Sequence, residues 1–576
     1  MRFPTAGNSE SIVGIDGAES TWPIRLDPAL IPWLAIAAVA AFVRLVLIDR
    51  LPLSDPEAAL AFAAWRASQG MEPGTLVDFN APALSHLMTA LVWIFGASDV
   101  VARMAPALAG VALSLTPALL SDVLGRRAMA AAGVLIATSP IAIQLSRTVD
   151  PAAITAAITM LIVGSAVRIA TDRPRWAPWA LALGVGLGLA AAPGVVVGLA
   201  TAGVAAAATW GVLPGTWPRT ITDIRSTGRL KEMTGPALLG AGAFLLLGTG
   251  ALTDLAGIGF AVGPLWGNGF ALFRPAPFPT RNLAALLADA WPLLALAAIG
   301  FAQEARSPNR VALFVGQWAL LLAALAAVTG QATFDLALLP VGPLAVLSGI
   351  AVDRIISERL GVRPDGAAWG AALAAFLLIG AVLLGISQSV GAGKVPAPPG
   401  VAGVLAVLVA VTAMWWRGLE PRQRSAAGLV LGTLLIGGAT VGTVMRVSFG
   451  GSPPGTEPLL REQTEPTLRE VFRDITITAR ADGRALAVDN DTPMAVQWYG
   501  RDILRVDSVP ASGAPPITVS IAPPMIAGSP QNQRRTPWKT TSSLVRSDLK
   551  PLAIAQWVVA RRGLVSGKAS DIIISQ

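Results

Sequence analysis

The chain has 576 residues, of which 53% are hydrophobic and only 14% are charged. A soluble protein carries roughly a quarter charged residues, so this composition excludes a string of ordinary soluble domains. The absence of cysteine excludes disulfides and thiol chemistry, and a single histidine argues against a histidine-based zinc site. The net charge of +8 does not indicate a nucleic-acid partner, because the arginines lie in short segments beside apolar runs.

The apolar runs predict a multi-pass protein of the plasma membrane. A run of about 20 residues can cross a bilayer as a helix, which satisfies its own backbone polar groups. Residues 1–29 are polar and are predicted to form a cytoplasmic segment, and the first run lacks a cleavage site after it, so we expect it to stay as a span. The runs lie at 30–48, 82–96, 99–121, 128–146, 151–170, 176–191, 194–212, 235–256, 284–303, 311–330, 334–352, 366–388, 401–416 and 426–446.

The arginine distribution selects one topology. If all fourteen runs crossed the membrane with the N-terminus inside, Arg126, Arg127 and several later basic clusters would lie outside. If the short run 82–96, which contains His86, instead lies on the outer face, those clusters fall inside, as the positive-inside rule requires. We therefore predict an all-α, polytopic membrane domain of about 13 transmembrane helices over residues 30–446.

This topology places three irregular segments on the outer face. They are the first outer loop (49–98), the turn at 146–151, and a loop at 257–283 that is rich in glycine and proline and carries Arg274 and Arg281.

The character of the sequence changes after residue 446. A Gly- and Pro-rich linker at 450–456 is followed by segments at 484–488, 517–521 and 571–575 that predict strands, and one at 549–562 that predicts a helix. We expect a small, extracytoplasmic α/β domain over 447–576.

The start of the first outer loop has two interpretations. Asp55 followed by Pro56 and Glu57 is typical of a helix N-terminus, with Asp55 as N-cap, and predicts a surface helix over 58–69. The same carboxylates could also take a proton from a hydroxyl acceptor. Both interpretations can hold at once.

The turn with Arg147 and Asp150 is ambiguous in the same way. Asp150 before Pro151 predicts another N-cap. If Asp150 lies near Asp55 or Glu57, these carboxylates could orient an acceptor or bind a divalent cation such as Mg²⁺ or Mn²⁺, and Arg147 could face a phosphate. Arg103, near the outer end of a span, either reaches lipid phosphate or has a specific role.

Two other features favour structural interpretations. A lone histidine beside an apolar face, here His86, is typically a hydrogen-bonded structural residue. The glycines at 184, 186 and 188 lie inside an apolar run with no strand before it, so they indicate helix packing and not a phosphate loop.

The outer-face motifs, taken in order, resemble those of the GT-C superfamily of membrane glycosyltransferases. That superfamily includes protein O-mannosyltransferases, aminoarabinose transferases of lipid A, oligosaccharyltransferase catalytic subunits and Agl-type relatives. The similar stretches are Leu53 to Gly70, Asp78 to Leu84, Phe95-Gly96 with Arg103, Ser139-Pro140 to Asp150, Phe334 to Pro343, and Trp498-Tyr499-Gly500-Arg501-Asp502.

The resemblance implies transfer of a sugar from a polyprenyl-phosphate carrier to a protein or glycolipid acceptor on the outer face. It implies a catalytic role for Asp55 or Glu57, assisted by Asp150. Basic residues would hold the carrier phosphate, for which we expect Arg103, Arg147, Arg274 and Arg281. Acceptor or soluble-domain contacts are expected from His86, Trp498, Tyr499 and Arg501.

One departure keeps a second hypothesis open. Pro56 occupies the position of the family's first acidic residue, and a proline cannot act as a base. Either Asp55 takes that role through a small shift, or the chain is a catalytically degenerate scaffold subunit of a membrane complex. A transporter is a third alternative, although transporters usually place ionisable groups near the middle of the membrane.

Overall fold

The structure is a computed structural model. It describes residues 27–71, 81–171, 174–191, 194–211, 234–252, 281–305, 309–328, 335–359, 364–391, 399–449, 459, 464, 467–482, 486–488, 493–501, 517–522, 533–540 and 568–575.

The described chain is mostly helical. The helices of its first part are α1 (Ile31–Leu45), α2 (Asp55–Ser68), α3 (Pro82–Phe95), α4 (Asp99–Leu115), α5 (Ser121–Leu124), α6 (Arg126–Thr138), α7 (Pro140–Ser146), α8 (Ala152–Thr171), α9 (Ala177–Ala190) and α10 (Gly194–Gly211), with a 3-10 helix at Thr116–Leu120. Those that follow are α11 (Thr234–Gly248), α12 (Arg281–Asp289), α13 (Trp291–Glu304), α14 (Arg310–Val328), α15 (Asp335–Leu338), α16 (Val341–Arg359), α17 (Gly366–Gly391), α18 (Pro399–Gly418), α19 (Pro421–Ser448), α20 (Thr467–Asp482) and α21 (Met494–Gly500).

In the described part of the chain, each predicted apolar run overlaps one helix or two successive helices, and several of these are long enough to cross a membrane. In the described part, six helices are long and apolar enough to cross a membrane, and the number is eight if each bent pair counts as one span. The bent pairs are α6 with α7, at 56°, and α12 with α13, at 82°. The described part also contains six shorter apolar stretches of 10–17 residues, all within helices. Because a helix rises 1.5 Å per residue, they fall short of a core about 30 Å thick, and the count of thirteen spans stays a prediction.

The main core lies among the helices that follow α3. Buried side chains of α6, α8, α14 and α16 form one continuous apolar cluster, which includes Met129, Ile136, Trp318 and Leu347. Close backbone approach holds other helices together: a Cβ on Gly186 of α9 would collide with the Gly240 carbonyl of α11. The prediction that the glycines of α9 serve helix packing is therefore confirmed at Gly186.

The C-terminal part contains a four-stranded sheet. Its strands are β1 (Leu486–Val488), β2 (Ile517–Ala522), β3 (Gln533–Thr540) and β4 (Lys568–Ser575), in the order β1-β2-β4-β3. β1 pairs with β2 in parallel, and β4 pairs antiparallel with both β2 and β3. Strands were expected at β1, β2 and β4. β3 was missed because Gln533–Thr540 is polar and contains Pro537, and the helix expected at 549–562 lies outside the described residues.

A second buried core joins the first outer loop to the C-terminal part. Residues of α2, α3 and the start of α4 pack with residues of α20 and α21, which the sequence patterns did not predict as helices. Leu53, Phe62, Phe472 and Trp498 are among its members. The first outer loop and the segment after residue 459 therefore lie on the same side of the helical body, and their common core crosses the predicted domain boundary at residue 447.

Candidate functional site

The first turn of α2 is closed by a reciprocal capping box. Glu57 Oε2 accepts hydrogen bonds from the Ser54 backbone N–H and from Ser54 Oγ, both at 2.9 Å. Ser54 is thus the N-cap, one residue earlier than the Asp55 expected from the sequence, because the Ser-x-x-Glu spacing satisfies both ends of the turn. Asp55 is left at the first helical position, and its carboxylate points to other partners.

Glu57 and Arg103 form a buried ion pair. Arg103 Nε lies 2.9 Å from Glu57 Oε1, and Arg103 Nη2 lies 3.0 Å from Glu57 Oε2. The remaining Arg103 donors bind the carbonyls of Ile48, Leu51 and Pro52. Burial alone would raise the pKa of Glu57, but the charge and hydrogen bonds of Arg103 outweigh it and hold that pKa below its usual range.

Glu57 also fixes the turn that carries Asp150. The Val149 N–H donates to Glu57 Oε1 at 2.9 Å. A functional role for Asp150 requires it to lie near Asp55 or Glu57, and this bond brings its neighbour Val149 into contact with Glu57. Glu57 therefore joins the first outer loop, the start of α4 and the turn at 146–151.

Two further buried arginines bind the carbonyl ends of helices. Arg147 Nη1 donates to Val43, Arg44 and Val46, and Arg147 Nη2 donates to Leu47, at the end of α1. Arg44 donates to the carbonyls of Ile136 and Ala137, just before the bend between α6 and α7. The unpaired carbonyls at a helix C-terminus carry partial negative charge, which a guanidinium compensates.

The three arginines leave an excess of buried positive charge next to the first outer loop. Arg44, Arg103 and Arg147 are each at most 5% exposed, and only Arg103 of the three binds a carboxylate directly in the described contacts. Burial, with the nearby charge of Arg103, lowers the pKa of Arg147 to about 10, so Arg147 remains charged at neutral pH. Buried charge without full compensation favours an anion nearby.

Asp55 and Asp150 are the half-buried carboxylates of this region. Asp55 Oδ1 accepts the Ala495 N–H at 3.0 Å, and Asp150 Oδ1 accepts the Ala152 N–H at 2.8 Å, which caps α8 as expected. Burial raises the pKa of Asp55, although the N–H groups of Ala495 and Met494 oppose the shift. A raised pKa brings a carboxylate closer to the range in which it can accept and release a proton.

The residues expected to contact an acceptor have partners inside the protein. His86 Nδ1 lies 2.8 Å from the Leu247 carbonyl, as the structural interpretation of this residue requires. Trp498 Nε1 and Tyr499 Oη donate to Asp99, at 2.8 and 2.7 Å, and Arg501 donates to the Ala97 carbonyl at 2.8 Å. Burial and the neighbouring Asp99 raise the pKa of Tyr499, which keeps its hydroxyl protonated.

The sequence did not predict that Asp99 would bind residues of the C-terminal part. Asp99 starts α4, after the Ser98 N-cap, so its pattern suggests only a favourable charge at a helix N-terminus. Its aromatic and arginine partners lie about 370 to 400 positions away along the chain, and no local pattern could have indicated them.

Two of the arginines expected to bind phosphate cannot be placed. Arg274 lies outside the described residues, and Arg281 begins α12 but its side chain is not described. Among the described residues, no group of three His, Cys, Asp or Glu side chains could hold a metal ion.

Comparison with solved structures identifies the fold. ArnT from Cupriavidus metallidurans in the apo state matches with a TM-score of 0.50 and 15% identity, over 85% of this chain and 92% of ArnT. The chain has the GT-C fold. The resemblance to GT-C glycosyltransferases that the outer-face motifs indicated is therefore confirmed at the level of fold.

Two further solved structures match at lower TM-scores. ArnT bound to undecaprenyl phosphate matches with a TM-score of 0.49 and 17% identity, over 82% of this chain and 85% of ArnT. Archaeal oligosaccharyltransferase AglB from Archaeoglobus fulgidus, solved with an inhibitory peptide and a dolichol-phosphate, matches with a TM-score of 0.41 and 14% identity, over 84% of this chain and 61% of AglB. No protein-family description and no curated protein matches the sequence.

Proposed function

We propose that this GT-C-fold protein is a membrane glycosyltransferase that moves a sugar from a polyprenyl-phosphate carrier to a protein or glycolipid acceptor at the outer face. The observation that carries the proposal is the buried positive charge of Arg44, Arg103 and Arg147 directly beneath the acidic first outer loop. Such a field attracts an anionic lipid head group and stabilises the phosphate that leaves when the sugar is transferred. ArnT, which shares the fold, has been solved bound to undecaprenyl phosphate.

In this proposal Asp55 is the base. The acceptor hydroxyl gives its proton to Asp55, its oxygen forms a bond to the anomeric carbon, and the bond from that carbon to the carrier phosphate breaks with its electrons going to the phosphate. Asp150 helps to orient the acceptor. Glu57 is a positioning residue, because the bonds to Arg103, Ser54 and Val149 occupy both of its carboxylate oxygens.

A divalent cation does not fit this arrangement as a resident cofactor. Glu57 forms an ion pair with Arg103, so only Asp55 and Asp150 of these three carboxylates could act as metal ligands. No third Asp, Glu, His or Cys side chain joins them in the described part of the chain, and no step of the proposal uses a metal.

Substitution of the two candidate carboxylates, and of the positioning residue Glu57, tests the proposal. Membrane vesicles containing the wild type, Asp55→Asn, Asp150→Asn or Glu57→Gln would receive a panel of undecaprenyl-phosphate-linked sugars, and sugar transfer to endogenous acceptors would be measured. Loss of a general base typically costs on the order of 10²-fold or more, so we expect this drop for Asp55→Asn and a smaller one for Asp150→Asn. The matched control is Asp122→Asn, whose partner Arg168 lies away from the acidic loop. A wild-type rate in Asp55→Asn would remove Asp55 from the mechanism.

A catalytically inactive scaffold subunit is the second candidate. The observation that favours it is that the Asp55 carboxylate binds the Ala495 N–H, while Arg103 and Arg147 are hydrogen-bonded within the chain. A scaffold should co-purify with other membrane subunits at fixed stoichiometry in mild detergent and should transfer no sugar from the panel. A monodisperse single-chain preparation with transfer activity would exclude this role.

A further inference from the structure

Asp99 gathers three side chains of the C-terminal part around one buried carboxylate. Its Oδ1 accepts the Trp498 indole N–H at 2.8 Å, and its Oδ2 accepts the Tyr499 hydroxyl at 2.7 Å. Arg469 of α20 forms an ion pair with the same Oδ2. Asp99 is 8% exposed, so loss of its charge would leave these donors buried without their acceptor, which is costly.

The same C-terminal residues hold the chain that leads into α2. The Tyr499 hydroxyl, besides donating to Asp99, accepts the Leu53 N–H at 2.8 Å. Thr464 Oγ1 donates to the Leu53 carbonyl at 2.6 Å, and Arg469 donates to the Asp49 carbonyl at 2.8 Å. We call the described residues Thr464, α20 and 493–501 the clamp. Both polar groups of the Leu53 backbone, two positions before Asp55, are therefore bound by the clamp.

Apolar packing supports these hydrogen bonds. Trp498 is fully buried, and Leu468 and Phe472 of the clamp pack in the same core as Leu53 and Phe62 of the outer loop. The guanidinium of Arg501 lies 4.2 Å from the ring centre of Trp498 and also reaches the Ala97 carbonyl. Trp498 and Tyr499 thus face the loop and serve to dock the clamp.

We propose that Asp99 is a positioning residue that anchors the clamp on the first outer loop, and that the docked clamp orients the Asp55 carboxylate through the Ala495 N–H. This inference rests on the proposed function of Asp55. Because Asp55 is the first residue of α2, the helix alone leaves its side chain free to rotate. The hydrogen bond from the Ala495 N–H to Asp55 Oδ1, at 3.0 Å, restricts that rotation. Asp99 itself contacts no reacting group.

The natural lack of cysteine allows docking to be measured without any substrate. Ala495, in the clamp, is fully buried while the clamp is docked on the first outer loop, so an Ala495→Cys thiol should react slowly with a water-soluble maleimide. Ala495→Cys would be combined separately with Asp99→Asn, Asp99→Glu, Tyr499→Phe and the control Asp122→Asn. All would be full-length chains in nanodiscs. Tyr499→Phe removes one hydroxyl only, so it keeps the test valid if Asp99→Asn fails to fold.

We expect the labelling rate to rise about tenfold or more in Asp99→Asn, and less in Tyr499→Phe, because a buried hydrogen bond to a charged group is lost. Asp99→Glu, which keeps the charge, should restore part of the protection, and Asp122→Asn should label at the wild-type rate. The same Asp99 and Tyr499 substitutions in the cysteine-free chain should lower the turnover number for a transferred sugar while the KM for the lipid donor changes little.

The outcomes separate the inference from the proposed function. Unchanged labelling in both Asp99→Asn and Tyr499→Phe would overturn the anchoring role. Increased labelling with unchanged turnover would overturn the positioning of Asp55. If the wild type transfers no sugar from the panel, the proposed function fails and the positioning role fails with it, whereas the labelling data still decide whether Asp99 anchors the clamp.

Discussion

Glu57 is the residue on which three segments of the predicted outer face converge. Its carboxylate accepts hydrogen bonds from Ser54, Arg103 and Val149, and it is buried. Removing one partner of a buried ion pair costs about 3–5 kcal/mol, because the other charge remains without compensation. Asp55, two positions earlier, is half-buried, and its carboxylate binds the backbone N–H groups of Ala495 and Met494, which suits it better to chemistry than the buried ion pair of Glu57.

The depressed pKa of Glu57 predicts a specific loss of stability in acid. The folded pKa lies below the ordinary value of about 4.3, so the stabilisation is fully present above that value and is lost as the pH falls through the folded pKa. The apparent Tm in detergent should therefore drop below about pH 4 in the wild type. Glu57→Gln should be less stable at pH 7 by about 3–5 kcal/mol and should lack this part of the acid dependence.

The control for this measurement is the exposed Glu420, which lies between α18 and α19. Glu420→Gln should follow the wild-type curve. A Glu57→Gln protein with wild-type stability at pH 7 and the same acid transition would contradict the role given to the ion pair.

At the scale of elements, the body of the protein depends on helices whose backbones nearly touch. A Cβ on Gly349 of α16 would collide with the Ala128 carbonyl of α6, and one on Gly300 of α13 would collide with the Leu347 carbonyl of α16. Small residues at such crossings allow van der Waals contact between backbones, which drives helix association in membranes. α16 is thereby fixed on two sides, and it contributes to the main core.

Gly349→Ala should therefore destabilise the helical body. The colliding atoms belong to backbone and cannot rotate away, so we expect a cost of about 1–3 kcal/mol, seen as a lower apparent Tm. Gly432 of α19 provides the matched control, since nothing lies within 4 Å of its Cβ position. Gly432→Ala should be neutral or slightly stabilising, because alanine favours a helix over glycine. Equal Tm values for the two variants would show that α6 and α16 do not pack this closely.

At the scale of the whole molecule, the acidic loop, the Arg147–Asp150 turn and the clamp meet at one end of the helical body. The arginine distribution of the sequence assigns that end to the outside of the membrane. It assigns Glu420, between α18 and α19, to the inside. The contacts between these segments are the same whichever side of the membrane they face. The proposed substrates, in contrast, require that this end faces the outside.

Labelling in intact cells checks the sidedness. Single cysteines would be introduced at the exposed positions Arg473, in α20, and Glu420, in a chain that has no other thiol. We expect a membrane-impermeant maleimide to label Arg473→Cys in intact cells and Glu420→Cys only after permeabilisation. The opposite pattern would invert the topology and place the candidate site on the cytoplasmic face.

The sequence by itself determined the membrane class, the positions of the apolar helices in the described part of the chain, and the GT-C resemblance. These properties follow from hydrophobic run length and from motifs whose residues are close together in the chain. It also indicated Asp55, Glu57, Arg103, Arg147 and Asp150 as the residues of interest at the outer face. Patterns of this kind contain no information about which distant groups share a hydrogen bond.

Only the tertiary structure decided which partner each charged group has. It paired Glu57 with Arg103 across 46 positions, turned Arg44 and Arg147 towards helix carbonyls, and brought Trp498 and Tyr499 onto Asp99. The physical reason is burial: once these groups leave water, each needs a partner, and the fold supplies whichever donor or acceptor it places within reach. That constraint separates Glu57, which is fully bound and structural, from Asp55, which is the better candidate for chemistry.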